Sequence, residues 1–176
     1  MSADQARLFV ALWPARDVRA ALREWRDGWV WPSSSSPVRA EQLHVTLHFL
    51  GNVARDRVPE LAAGLGVAFN PFELVFGHTE LWHGGIAVLA PDAVPQPLLD
   101  LHASLGAALV GLGMTPEGRP YKPHVTMGRR AANAVPPLAG PSIRWQIDGY
   151  ALMESKVGAS SEYGVVQQYA ADGSWV

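Results

Sequence analysis

Polar and apolar side chains alternate along His44-Val45-Thr46-Leu47-His48-Phe49-Leu50-Gly51, the period of a half-buried β-strand. Successive side chains on a strand point to opposite faces, so His44, Thr46 and His48 are expected on one face and Val45, Leu47 and Phe49 on the other. Residues 8–13 are apolar throughout and run into Pro14, as suits a strand buried on both faces. Residues 15–25 space Val18, Leu22 and Trp25 along one helical face, with Arg16, Arg19, Arg23 and Arg26 read as the solvated one. Asp27-Gly28 ends that helix. Residues 29–42, which include Ser33-Ser34-Ser35-Ser36-Pro37, are expected to form the most mobile loop.

A second helix over 56–65 would bury Val58, Leu61 and Leu65. Residues 71–81 and 86–90 predict a strand pair turning at His83-Gly84-Gly85. Pro97 opens a long helix with Leu98, Leu101, Leu105, Leu109 and Leu112 at helical spacing, closed by Gly111 and Gly113. The strand pattern then returns as Pro123-His124-Val125-Thr126-Met127-Gly128-Arg129. After a Pro/Ala linker at 131–141 come two more strands, 143–155, long and bulged near Gly149, and 164–170. The order β-α-β-α-β-β, then α-β-β-β, makes two similar halves, each with one His-Val-Thr strand. It predicts an α+β fold over residues 1–176, a single bilobed domain. Its two lobes of antiparallel sheet with flanking helices would be related by a pseudo-two-fold, holding the histidines across a cleft.

Composition narrows the chemistry. Hydrophobic residues at 48% and charged residues at 17% describe a globular chain. The absence of cysteine excludes disulfides, thiolate nucleophiles and cysteine metal sites. The apolar run at 8–12 is too short for a membrane span or secretion signal, and no basic segment precedes it, so a cytoplasmic protein with no membrane partner is expected. A net charge of −2 is wrong for a broadly basic nucleic-acid coat. An RNA partner would be held at an end or as a small piece, by a local arginine cluster.

Two imidazoles can divide a displacement between them. One, neutral, takes a proton from the attacking oxygen; the other, protonated, gives one to the leaving oxygen. With an ordinary pKa of about 6.5, histidine serves either role near neutrality. A threonine two residues on, some 6–7 Å along the strand, can hydrogen-bond a phosphate held between them. A nearby arginine would offset charge developing on phosphorus. Strict alternation nominates Arg130 for that place; a bulge beside Gly128 would nominate Arg129. Histidines, threonines and an arginine without a carboxylate cluster fit metal-free phosphodiester chemistry.

The paired motifs His44-Val45-Thr46-Leu47 and His124-Val125-Thr126-Met127 resemble the double His-x-Thr-x signature of the two-histidine phosphoesterase superfamily. Within it the chain is most similar to the RNA 2′,3′-cyclic phosphodiesterases, also called 2′-5′ RNA ligases. Arg7-Leu8-Phe9, Leu43, Phe49-Leu50-Gly51, Leu98, Leu101-His102, Pro123 and Tyr163 match as well, so the resemblance covers nearly the whole chain. It implies hydrolysis of a 2′,3′-cyclic phosphate to a 2′-phosphomonoester, without metal or nucleotide cofactor, and a weaker reverse activity that joins RNA ends through a 2′-5′ bond. It also implies residue roles: His44 protonates the departing 3′ oxygen, His124 activates water, and Thr46, Thr126 and Arg129 hold the phosphate. The expected partners are RNA ends or small nucleotide cyclic phosphates, and the expected state is a monomer. Two alternatives remain open at this point. One is a phosphodiesterase acting on 2′-5′ oligoadenylate, an ADP-ribose cyclic phosphate or RNA 3′ ends; the other is an RNA-binding module without turnover.

Other residues draw plainer readings. His48 is expected to be a satisfied polar neighbour, and a zinc site made of His44, His48 and His124 ranks low for want of a supporting carboxylate. His102 reads as structural, His78 and His83 as hairpin residues, Tyr121 as packed and Lys122 as surface. Trp13, Trp25 and Trp145 fit core positions. Trp29 and Trp31, in the loop, are the tryptophans nominated to stack on a base.

Overall fold

The computed structural model describes residues 4–156 and 161–176; the first three residues of the N-terminal segment read above lie outside them. In chain order the elements are β1 (Gln5–Leu12), α1 (Arg16–Asp27), β2 (Ser36–Pro37), β3 (Val45–Ala54), α2 (Val58–Gly64), β4 (Phe72–Trp82), β5 (Ile86–Pro91), α3 (Gln96–Gly111), β6 (Val125–Arg129), β7 (Ile143–Ile147), β8 (Gly149–Lys156) and β9 (Glu162–Ala170). The predicted helices and the first strands are all present, within a few residues of their expected ends.

The strands form one continuous sheet in the order β7-β4-β5-β6-β3-β1-β8-β9, with β2 added beside β6. The two expected lobes of antiparallel sheet are halves of four strands each, and they meet edge to edge within that one sheet. The seam is a single residue pair, Val45↔Val125, between β3 and β6. Reading outward from it, β3, β1, β8 and β9 answer to β6, β5, β4 and β7, which is the anticipated pseudo-two-fold in the form of strand order.

The strand expected over 143–155 is two strands. β7 pairs with β4 in one half while β8 pairs with β1 in the other, and Asp148 alone links them. One residue reaches only about 7 Å, so the far edge of one half is drawn close to the other half and the sheet must curl. Gly149 fits that corner because a Cβ there would meet the Tyr169 carbonyl oxygen at 2.6 Å.

Burial explains why the helices cover one face. Val18 and Leu22 of α1, Leu61 of α2 and Leu98, Leu101, Leu105 and Leu109 of α3 share one core with Leu8, Val10 and Leu12 of β1. The intervening Phe9 and Ala11 belong to a small second cluster with Ala151 and Met153, flanked by Trp13 and Tyr163. β1 is therefore buried on both faces, as its unbroken apolar run implied.

The serine-rich stretch is tied down along much of its length. Ser36 and Pro37 pair with Arg129 and Gly128, and the Val38 amide donates to the Met127 carbonyl at 2.8 Å. Residues read as a solvated arginine face hold the same stretch. Arg19 donates to the carbonyls of Ala40 (2.7 Å) and Leu43 (3.1 Å), and Arg26 to that of Val38 (2.7 Å). Trp29 is buried and stacks on the half-buried Trp31 with ring centroids 5.0 Å apart, so Trp29 lacks the open face expected of a base-stacking residue and one face of Trp31 is already taken.

Candidate active site

Each histidine motif contains a β-bulge at the same place. Between β1 and β3 the register steps from Val10↔His48 to Ala11↔Thr46, leaving Leu47 as the extra residue. Between β5 and β6 it steps from Ala87↔Gly128 to Val88↔Thr126, leaving Met127. An extra residue reverses the alternation beyond it. Burial records the result: Leu43–Phe49 and Pro123–Arg129 both run buried, half-buried, buried, half-buried, buried, buried, exposed. After the bulge, positions 49 and 129 rejoin the face of the histidine and threonine.

Two expectations change for that reason. His48, expected beside His44, is turned inward, 5% exposed. Its Nε2 donates to the His102 carbonyl at 2.8 Å and its ring stacks on that of His102 at 4.0 Å. The zinc trio of His44, His48 and His124 is therefore not assembled, and no group of three or more potential metal ligands forms among the described residues. Phe49, expected inward, is exposed beneath Arg7, whose guanidinium carbon lies 4.9 Å from the ring centroid. Arg129 likewise comes to the cleft, while Arg130, at a positive φ of 50°, turns to the Ser36 hydroxyl.

The antiparallel bridge Val45↔Val125 sets the rest by arithmetic. Continuing its register by one residue either way brings His44 across from Thr126 and Thr46 across from His124. A cavity of about 360 Å³ opens there, lined by His44, Thr46, His124, Thr126 and Arg129 together, with Arg7, Phe9, Gln42, Phe49, Ser155 and Tyr163 around them. The described lining carries no carboxylate.

Both imidazoles are oriented by the same device. Nδ1 of His44 donates to the Gln42 carbonyl at 2.6 Å, and Nδ1 of His124 to the Lys122 carbonyl at 2.7 Å. In each case the acceptor lies two residues upstream, which leaves Nε2 as the ring nitrogen not bonded to the backbone. Nε2 of His44 also meets the Thr46 hydroxyl at 3.0 Å. Tyr121 steadies that strand from behind, its hydroxyl donating to the Thr46 carbonyl at 2.8 Å.

The walls around the two rings differ. His44 lies among Phe9, Trp13 and Tyr163, with centroids 5.1, 5.6 and 5.6 Å away, and Arg19 covers the Trp13 ring at 4.8 Å. Burial lowers the His44 pKa to about 4, helped by the charges of Arg19 and Arg129 and opposed by the Gln42 hydrogen bond. Among the described residues His124 has a single aromatic neighbour, Trp82, at 4.4 Å. Its pKa is also lowered by burial, with the Lys122 hydrogen bond and the Glu80 carboxylate working against the shift.

Sequence reasoning nominated both histidines, both threonines and Arg129, all of which the cavity brings together. It missed Gln42 and Ser155, which carry no motif; it named Arg7 as part of the family match without placing it at the site, and it assigned Trp13 to the core. It also missed Phe49 and Trp82, hidden by the unseen bulge and by a hairpin with no visible partner.

Comparison with known proteins agrees with this geometry. The family model described as the 2′-5′ RNA ligase superfamily matches residues 13–159. The chain belongs to that superfamily. It is 31% identical to the RNA 2′,3′-cyclic phosphodiesterase of Escherichia coli, over 88% of this chain and 87% of that one. It is also 31% identical to the enzyme of the same name from Thermus thermophilus, over 95% and 91%. Among solved structures, E. coli LigT in complex with 3′-AMP superposes with a TM-score of 0.84 at 26% identity, covering 95% of this chain and 98% of that one. The resemblance read from the paired motifs and the α+β fold read from the order of elements are both borne out. No helix among the described residues is long and apolar enough to cross a membrane.

Proposed function

We infer that this protein hydrolyses 2′,3′-cyclic phosphate ends of RNA, leaving a 2′-phosphomonoester, by acid/base catalysis shared between His44 and His124 without metal or other cofactor. The observation that carries the reading is the pair of imidazoles fixed by their Nδ1 atoms, with both threonines and Arg129 on the same cavity. The names of the 31%-identical relatives support the substrate, and the nucleotide complex of E. coli LigT supports nucleotide-sized ligands.

In this mechanism the phosphate sits between the two motifs. Thr46, Thr126 and Arg129 donate to its non-bridging oxygens, where charge grows in the transition state. Nε2 of neutral His124 takes a proton from water as its oxygen bonds to phosphorus. On the opposite side the bond from phosphorus to O3′ breaks, and Nε2 of protonated His44 gives O3′ its proton. Proton exchange with solvent then resets the pair.

Burial works against the acid. With its pKa lowered to about 4, His44 is neutral in the free site near pH 7. The bound phosphate supplies the missing stabilisation, since an anion within contact distance favours the imidazolium. Substrate binding and protonation of His44 are thus coupled, and the acid is charged where there is a leaving group to receive its proton.

All of these groups come from one chain, which supports a monomer acting as a single bilobed domain, and we assign it to the cytoplasm. The test is incubation with an oligonucleotide ending in a 2′,3′-cyclic phosphate, in EDTA. A 2′-phosphate product is expected. A 3′-phosphate product, or activity that returns only with added metal, contradicts the mechanism. Tight binding without turnover would instead favour an RNA-end-binding module.

A further inference from the structure

Arg19, half-buried near the start of α1, reaches the residues that hold His44. Its Nη1 donates to the carbonyls of Ala40 at 2.7 Å and Leu43 at 3.1 Å, and its Nη2 to that of Pro14 at 3.4 Å. Ala40 and Leu43 bracket a short helical turn. The Gln42 carbonyl between them is the one that accepts from Nδ1 of His44. Pro14 follows Trp13, and Arg19 covers the Trp13 ring at 4.8 Å. That ring in turn stacks on His44, 5.6 Å between centroids and 29° from parallel. One guanidinium thus ties together both supports of the imidazole: the carbonyl that orients it and the ring that packs on it.

The second half has no such clasp on its helix. α3 links β5 to β6 as α1 links β1 to β3, and it contains no lysine or arginine. We propose that Arg19 is the positioning residue of His44: it fixes the direction of Nε2 and holds the ring neutral until an anion enters the cavity. The inference rests on the role given above to His44.

The charges around His44 support the second part. Arg19 faces it from α1, Arg129 and His124 from β6, and Tyr163 from β9, while Arg7 of β1 lines the same cavity. Glu41, in the turn itself, favours the charged form of Arg19. Cations beside an imidazole disfavour its protonated form, and a phosphate among them reverses the balance. Arginine suits the first part because its planar fork serves several acceptors at once, which a lysine ammonium on a flexible stem does not reproduce.

The experiment compares the wild type with Arg19→Gln and Arg19→Lys, each as the full chain. NMR follows the imidazole titrations of His44 and His124 in the free protein, and turnover of a cyclic-phosphate-ended oligonucleotide gives kcat. In Arg19→Gln the His44 midpoint is expected to rise by about half a pH unit or more, with His124 moving much less. In Arg19→Lys the charge remains, so the midpoint stays near wild type, yet kcat falls about tenfold in both variants as Nε2 loses its aim. Saturating inorganic phosphate raises the wild-type His44 midpoint. The midpoints are read on folded signals, so partial unfolding lowers amplitudes without moving them. A His44 midpoint unmoved in Arg19→Gln, or moving equally with His124, overturns the proposal. So does wild-type kcat in both variants, or a midpoint indifferent to phosphate. A wild type without turnover sinks the hydrolase reading, and the titrations still decide whether Arg19 governs His44.

Discussion

The His44 half and the His124 half share a scaffold and differ in what covers it. In both, the strand bulges one residue after the threonine, burial follows the same order, and Nδ1 is held by the carbonyl two residues upstream. The differences begin past the bulge, where His48 answers to Gly128 and Phe49 to Arg129. His48 packs against α3, whereas a Cβ on Gly128 would meet the Trp31 ring at 2.5 Å. Among the described residues three aromatic rings surround His44 and one lies on His124. The shared parts bring two imidazoles to one cavity, and the unshared parts give them unlike electrostatics. A symmetric frame with asymmetric lining is what a reaction needing one acid and one base requires.

Removing either member of the pair should have the largest effect. His44→Ala and His124→Ala are each expected to lower kcat by roughly 10²–10⁴, with circular dichroism and melting temperature near wild type. One variant retaining full activity would reduce the symmetry to decoration. Next, Arg129→Ala should cost about 10²–10³ in kcat/KM, the loss typical of removing a donor to a developing oxyanion, while Arg130→Ala changes it by a few-fold at most. The reverse ranking would mean that the bulge at Met127 does not set the cleft-facing arginine.

Acid stability gives a third comparison. His44 has a folded pKa lowered to about 4. Above pH 6.5 its imidazole is neutral folded or unfolded, and it makes no pH-dependent contribution. As pH falls from about 6.5 toward 4, the unfolded chain takes up a proton that the folded chain refuses, so the fold loses on the order of 3 kcal/mol through this residue. Denaturant midpoints across that range should fall less steeply in His44→Gln. The smallest effect tests position 128. Gly128→Ala must push Trp31 off the strand and is expected to cost about 1–3 kcal/mol, read as a lower melting temperature. An unchanged melting point would show that Trp31 yields freely.

Much of the frame was legible because the spacing repeats. Two His-x-Thr motifs, a leucine helix at 98–109 and a doubly apolar first strand each carry their own periodicity. The bulges were not visible, because an inserted residue leaves no mark on composition; strict alternation therefore misassigned His48 and Phe49. The split at Asp148 was hidden in the same way, since Gly149 reads equally as a bulge or as a corner. Arg19 and Arg26 looked like a wet helix face. Their carbonyl partners lie 12 to 24 residues away, and helical periodicity carries no such information.

The central claim is that two similarly held histidines perform opposite proton transfers, and pH profiles of kcat/KM test it most directly. In the wild type the account predicts a bell centred below pH 6.5, because burial lowers both imidazoles in the free enzyme. In the residual activity of His44→Ala one limb should vanish, and in that of His124→Ala the other. Profiles that lose the same limb in both variants, or keep both limbs in either, would contradict the account.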